Sequence, residues 1–286
     1  MSTATAVRKK IRLSAGEKAF YITAYAIVTL LALIVLYPLI YIVSASFSSA
    51  AAVSTGKVIL WPVEFSVEGY KRVFMDDSIW SAYGNTIFYT VVGTFINVAM
   101  TLICAYPLAR PGLPHKKFFT FLFSFTMMFG GGMIPSYLLM RDLHILNSFW
   151  VMVIPGAMAV YQMVIVRTFF QTNLPGELIE ATQVDGCNDI RFFFQFALPL
   201  SKAVIAVIPL QYAIGHWNDY FWPFIMTSSK EVYPLTIGIA ALRDAEGAYE
   251  WDFIMAGNTI LVAPILLVYA IFHKRIVRAF AYSGIK

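Results

Sequence analysis

Apolar residues in this chain come in long, nearly unbroken runs. They follow neither the three-or-four rhythm of a surface helix nor the alternation of a half-buried strand. Six runs are long enough for a helix to cross a bilayer, which takes about 20 mostly apolar residues. They cover residues 19–46, 85–109, 118–140, 149–170, 201–225 and 256–272. The pattern predicts an all-α, polytopic membrane protein with six transmembrane helices. Basic residues precede the first run and small residues follow it, as in a signal peptide. Signal cores span only about 7–15 residues, and this run is far longer, so it is read as a retained span.

Between the fourth and fifth runs the pattern breaks. Residues 177–199, "ELIEATQVDGCNDIRFFFQFALP", hold four acids, one arginine and a glycine. Asn173 is placed to cap a helix with Pro175 in its first turn, and Glu177 then sits where the helix dipole favours an acid. Leu174, Leu178 and Ala181 fall on one face. Gly186 is suited to end that helix in a left-handed conformation, and Asn188 can cap a second helix that carries Phe192, Phe193 and Phe196 toward Pro199. The reading is two short helices hinged at Asp185-Gly186. The first is too short to stand alone in water, so it needs support. That support is either the ends of the chain's own spans or a groove on a partner protein.

Composition sharpens the class. Only 13% of the 286 residues are charged, against roughly 25% in soluble domains. The net charge of +5 would suit nucleic acid, but topology accounts for it. With the N-terminus inside, fifteen of the 21 Lys and Arg fall on the cytoplasmic side and six outside, the asymmetry expected of a membrane protein. Both termini are then cytoplasmic, the polar insert faces the cytoplasm, and nucleic acid drops out as a partner. Two long outer loops, 47–84 and 226–255, carry acids such as Glu64, Asp76 and Glu231 and interface-type aromatics such as Trp61, Trp80 and Trp251. The domain plan is a cytoplasmic segment at 1–18, a six-span body at 19–275 with the insert at 173–200, and a cytoplasmic tail at 276–286. Cys104 and Cys187 follow no metal or disulfide spacing.

The stretch "ELIEATQVDGCNDIRFFFQFALPL" resembles the EAA loop of permease subunits of ABC importers. Glu180, Ala181, Asp185, Gly186, Leu198 and Pro199 match its pattern, whereas Thr182 and Cys187 stand where alanine is usual. "GHWNDYFWP", "FSVEGYKRVF", "NTIFYT" and "HKRIVRAFAYSGIK" are similar to segments of carbohydrate-uptake permeases of the maltose-importer G-subunit type. "GGGMIPSYLL" is similar to the branch that imports larger oligosaccharides, including alginate and pectin fragments. The resemblance implies a coupling helix that docks on an ATPase dimer, a homologous second permease subunit, an extracytoplasmic binding protein and transport by alternating access. It assigns Glu180, Ala181, Thr182, Asp185, Gly186 and Pro199 to ATPase coupling.

Two further readings come from the residues themselves. Polar groups at membrane depth line a cavity or pair with one another. On a continuous helix Gln211, Gly215, Asn218 and Trp222 share a stripe, which Asn97 and Gln162 could meet. These are the candidate pathway residues, Asn, Gln and His bonding sugar hydroxyls and Trp stacking on rings. Pro209 and Pro223 are expected to kink the fifth span, and Asp219 is expected to bond backbone or an outer loop. The chain has no G-x-x-x-x-G-K-[ST]. The nearest fragment, "STGKV" at 54–58, lacks the first glycine and the final hydroxyl, so ATP must be handled by another chain. No catalytic or metal-ligating set is evident, and no cofactor is expected. An ion-coupled secondary transporter is the alternative, disfavoured because the spans lack paired acids and an inverted repeat.

Overall fold

In a computed structural model the described residues, 14–245 and 251–283, are helical and contain no strand. Residues 1–13 and 284–286, the ends of the expected cytoplasmic segments, lie outside them, as does 246–250 of the second long loop. The helices are α1 (Ala15–Ser46), α2 (Ala50–Ser54), α3 (Glu68–Met75), α4 (Asp77–Ala109), α5 (Lys116–Met128), α6 (Met133–Asp142), α7 (Phe149–Val153) and α8 (Val160–Asn173). Then come α9 (Gly176–Val184), α10 (Asp189–Leu200), α11 (Lys202–Asn218), α12 (Phe221–Met226), α13 (Leu235–Ala245) and α14 (Trp251–Ser283). They form two compact units, one of residues up to 70 with 251–259, the other of 71–245 with the chain from 260 onward.

In the first unit, Ser14 and Glu17 form a capping box that starts α1. Almost all of α1 is exposed, and only Ser44, Ala45 and Ser46 at its end are buried. A helix apolar on every side, with little covered by its own chain, is suited to lipid. At its end Ala45, Ala52, Val53 and Val58 pack with Trp251 and Met255. Ser44 Oγ donates to the Leu60 carbonyl at 2.7 Å and Ser48 Oγ accepts the Val63 amide at 3.0 Å, which ties the following loop down.

In the second unit α4 is the strut. Its buried positions, Ile79, Ala82, Thr86, Tyr89, Gly93, Asn97, Thr101, Ala105 and Leu108, recur every three or four residues. The middle of this stripe, Gly93, Asn97, Thr101 and Ala105, is small or polar, the usual solution where lipid removes the hydrophobic drive between helices and close packing must supply it. α8, α11 and α13 lie against this stripe. Gly93 is required there: a Cβ at that position would stand 2.5 Å from the His216 ring on α11. Thr86 Oγ1 accepts the Leu235 amide at 2.7 Å, which seats the first turn of α13.

The expected spans are modified by breaks. Among the described residues three helices, α1, α4 and the Trp251–Ile271 part of α14, are long and apolar enough to cross a membrane alone, and up to five spans are counted if bent pairs are joined. The expected span 118–140 is two helices, α5 and α6, bent by 112° at Gly130–Gly132, where Gly132 takes a φ of 87°. The expected span 149–170 is interrupted at 154–159, around Pro155 and Gly156, and resumes as α8. The expected span 201–225 stops at Asn218, because Asp219 turns to an extended conformation, and restarts as α12. Pro209 sits inside the continuous α11, and Pro223 lies in the first turn of α12. The fifth span is therefore broken between its two prolines.

Within the first unit, Gly69 packs against backbone: an added Cβ would lie 2.7 Å from the Asp252 carbonyl oxygen. Backbone cannot rotate away as a side chain can. Gly69→Ala is expected to destabilise the protein by about 1–3 kcal/mol, as overpacking does. Thermal unfolding of the detergent-solubilised variant, followed by tryptophan fluorescence, checks this against an unchanged Gly84→Ala control, where no atom lies within 4 Å.

Candidate functional site

The insert between α8 and α11 folds as two short helices. Asn173 does not cap the first. It is the last residue of α8, and its amide donates to the Phe169 carbonyl at 3.0 Å. Pro175, with φ −61° and ψ 139°, occupies the N-cap position of α9 instead. Gly186 takes the left-handed conformation expected of it, with φ 75°. Its amide and that of Cys187 close the helix end on the Gln183 and Thr182 carbonyls at 3.0 and 2.9 Å. Asn188 caps α10, its side chain accepting the Arg191 amide at 2.8 Å.

The face of α9 differs from the expected one by one residue. Leu174 and Thr182 are buried and Leu178 is half-buried, a strict spacing of four, whereas Ala181 is exposed. The Thr182 hydroxyl donates back to the Leu178 and Ile179 carbonyls at 3.0 and 2.9 Å. That local bond satisfies its polar atom and frees its methyl for the core. Glu177, Glu180, Ala181, Gln183, Val184 and Asp185 form the open side, Val184 being 88% exposed. α10 widens to a π-helical turn at Phe193–Ala197. Pro199 lies two residues past it, and its ring and missing N–H would disrupt regular α pairing with the preceding turn. Phe192 and Phe196 stack there with centroids 5.5 Å apart. Pro199 itself is exposed. Ser201, buried, marks the 83° bend into α11.

One contact of the insert was not legible in the sequence. Arg110, which caps the C-terminal end of α4, reaches Asp189 with Nη2 2.6 Å from Oδ1. A basic residue at a helix end was the available signal, but its partner is 79 positions away. Beside this pair an open cavity of about 530 Å³ separates the 110–114 loop from Ile179, Glu180 and Gln183 on α9.

The candidate pathway residues divide into two groups. Gln211, Gly215 and Asn218 are exposed along one side of α11. Trp222 has left that stripe because the helix breaks before it, and its indole N–H donates to the Val151 carbonyl at 2.8 Å. Asn97 is buried. Its side-chain oxygen lies 2.6 Å from His216 Nε2, and its amide donates to the Gly156 carbonyl. Tyr212, one turn from His216, accepts the Ala159 amide at 3.1 Å and bonds the Thr101 hydroxyl at 2.7 Å. Asn97, Tyr212 and Trp222 thus serve the backbone of the break between α7 and α8. Gln162 is half-buried on α8, with its side-chain oxygen buried and unpartnered. Asp219 bonds backbone as expected, its carboxylate accepting the Trp222 amide, and its carbonyl accepts Thr236 Oγ1 at 2.6 Å.

Comparison with known proteins gives the class. Residues 78–282 match the family described as binding-protein-dependent transport system inner membrane component. The chain is 32% identical to the polygalacturonan/rhamnogalacturonan transport system permease protein YtcP of Bacillus subtilis (strain 168), over 94% of this chain and 99% of that protein. It is 33% identical to the protein LplC of the same organism, over 88% and 90%. A crystal structure of a bacterial ABC transporter involved in the import of the acidic polysaccharide alginate is similar with a TM-score of 0.83 at 32% identity, over 92% of this chain and 98% of that one. The chain belongs to the binding-protein-dependent transport permease family. It is a multi-pass inner-membrane component with the ABC permease fold.

The double role of the Tyr212 hydroxyl sets a test. A single interhelical bond in a membrane protein averages about 0.6 kcal/mol. Tyr212→Phe also strands a backbone amide, so its cost is expected in the range of about 1–3 kcal/mol. Unfolding in mixed micelles measures it, with Tyr161→Phe, an exposed tyrosine on α8, as the neutral control.

Proposed function

We propose that the chain is the membrane subunit of an ATP-driven importer for an oligosaccharide, and that the open face of α9 is its docking surface for an ATPase. The observation that carries this is the division of α9. Leu178 and Thr182 anchor it inward, while Glu177, Glu180, Ala181 and Val184 are left uncovered. A nine-residue helix gains little stability by itself. Presenting an acid-bearing face on so short an element fits a groove in a protein, and the negative cytoplasmic leaflet would repel it.

On this reading the chain crosses the membrane six times with both termini cytoplasmic. α7, the 154–159 break and α8 together make the fourth crossing, and Lys and Arg concentrate on the insert's side. A homologous second permease subunit supplies the other half of the pathway. A dimer of ATPase subunits hydrolyses ATP, and an extracytoplasmic solute-binding protein delivers the sugar. The chain itself is non-catalytic and uses no cofactor. Gln211 and Asn218, exposed on α11, are the best placed of the candidate residues to meet sugar hydroxyls. Asn97, Gln162 and Trp222 shape the wall behind them. The substrate is read as an oligosaccharide of the kind its relatives' names carry, with an acidic one such as an alginate fragment favoured by the similarity to the alginate transporter.

Reconstitution with the second permease, the ATPase and the binding protein in liposomes tests the reading. Uptake of labelled oligosaccharide is expected only with ATP inside. Uptake driven by an ion gradient without hydrolysis would sink it. Within that assay Gly186→Val forces a β-branched residue into a left-handed conformation. It should lower sugar imported per ATP hydrolysed by at least about tenfold, a change of about 1.4 kcal/mol in coupling. Tryptophan emission of the spans should not change.

A further inference from the structure

We propose that Arg110 is a positioning residue that ties the coupling insert to the end of α4, so that movement of the insert is delivered to α4. This rests on the reading of the insert as the coupling element. Along the chain, the insert joins the spans only at its two ends, the Leu174-Pro175 joint after α8 and the bend at Ser201 before α11. Both are changes of direction, which absorb motion. Arg110 makes a third connection, lateral and independent of the chain path. Its guanidinium lies 5.8 Å from the Tyr106 ring centre and 5.5 Å from that of Phe192. Tyr106 is on α4 and Phe192 on α10, so the cation bridges an aromatic of each element while Nη2 holds Asp189 at 2.6 Å. The Tyr106 and Phe193 rings meet alongside at 5.0 Å. The main chain of Arg110 is also fixed, its carbonyl accepting Lys116 Nζ at 2.9 Å.

The energetics favour position over stability. Asp189 is 66% exposed and Arg110 15% exposed at the side chain. An ion pair with one partner in water contributes little to folding, and Arg110 Nη1 is buried without an acceptor. The Tyr106 and Phe192 rings stack with centres 6.4 Å apart, and a planar cation lodged beside both rings fixes direction in a way that a flexible lysine would not. The route also follows from what is empty. The cavity beside α9 leaves Glu180 and Gln183 facing the 110–114 loop across open space, so the polar ties run from α10, through Arg110 and more weakly through the Tyr106 hydroxyl, which donates to the Asp189 carbonyl at 3.5 Å. From there α4 carries the stripe, with Gly93, Asn97 and Thr101, that bears on α11 and the 154–159 break.

The test uses the complete reconstituted complex and two variants, Arg110→Ala and Asp189→Asn. The second removes only an exposed charge and leaves the stacked cation, so it reports even if the first fails to assemble. Each is expected to lower sugar imported per ATP hydrolysed by roughly 2- to 30-fold, the range over which contacts of this kind shift coupling. The double variant should fall no further than Arg110→Ala alone, because both act through one contact. Amide hydrogen exchange of residues 189–192 in the same samples should quicken in both variants. An unchanged ratio in an active complex, or multiplicative losses, overturns the tie. If the wild-type complex shows no ATP-driven uptake, the proposed function fails and exchange alone judges the tie, unchanged rates overturning it.

Discussion

A helix that stops inside a bilayer leaves carbonyls and amides with no water to take them. With residues 149–170 read as a crossing, as proposed, the break at 154–159 poses that problem, and three side chains answer it. Asn97 takes the Gly156 carbonyl, Tyr212 the Ala159 amide, and Trp222 the Val151 carbonyl. Each comes from a different helix: α4, α11 and α12. The unpaired backbone of one span thereby becomes the point at which the others are fastened. Gly93 belongs to the same arrangement, since only the absence of a Cβ lets His216 reach Asn97. Polar residues that sequence alone would place on a sugar pathway here have a first task, holding open a conformation that lipid would otherwise forbid.

The same logic separates what was legible in the sequence from what was not. The hinge of the insert could be read locally, because Gly186 and Asn188 act on backbone within three or four residues of themselves, and both behave as their chemistry dictates. Asn173 was misplaced because a cap and a terminal helical residue look alike without the neighbouring helix in view. The i, i+4, i+7 spacing puts Ala181 inward, but the chain keeps a spacing of four and buries Thr182, which a threonine allows because its hydroxyl bonds within its own helix. The breaks in the spans were missed for a different reason. Hydropathy measures cost of transfer, and a broken span transfers as well as a whole one once its backbone is paired by residues 50 or more positions away. Arg110 and Asp189 met the same barrier of distance along the chain.

The two ends of α4 face different demands. One end is gathered by loops: Asn85 donates to the Glu231 carbonyl at 2.6 Å and Tyr89 to the Val232 carbonyl at 2.8 Å. The other meets the insert through Tyr106 and Arg110. Between them lies a stripe of small residues that permits close approach without bulky interdigitation. An element of 33 residues that is fastened at both ends, and bonded to its neighbours between them through Asn97 and Thr101, is well suited to carry force.

Thr182, turned into the chain's own core, bears on how such machines are assembled from parts. Of the two departures from the family's alanines, it is the buried one, and the Cys187 beside it is half-covered. The open face keeps Glu180 and Ala181, the residues common to the pattern. In this chain the hidden position packs inward, so on the proposed reading it bears on the fit to an ATPase only through the packing of α9. On the proposed reading, a motor that grips the open face meets a standard fitting. Subunits that carry different cargoes can then share one engine without each evolving its own.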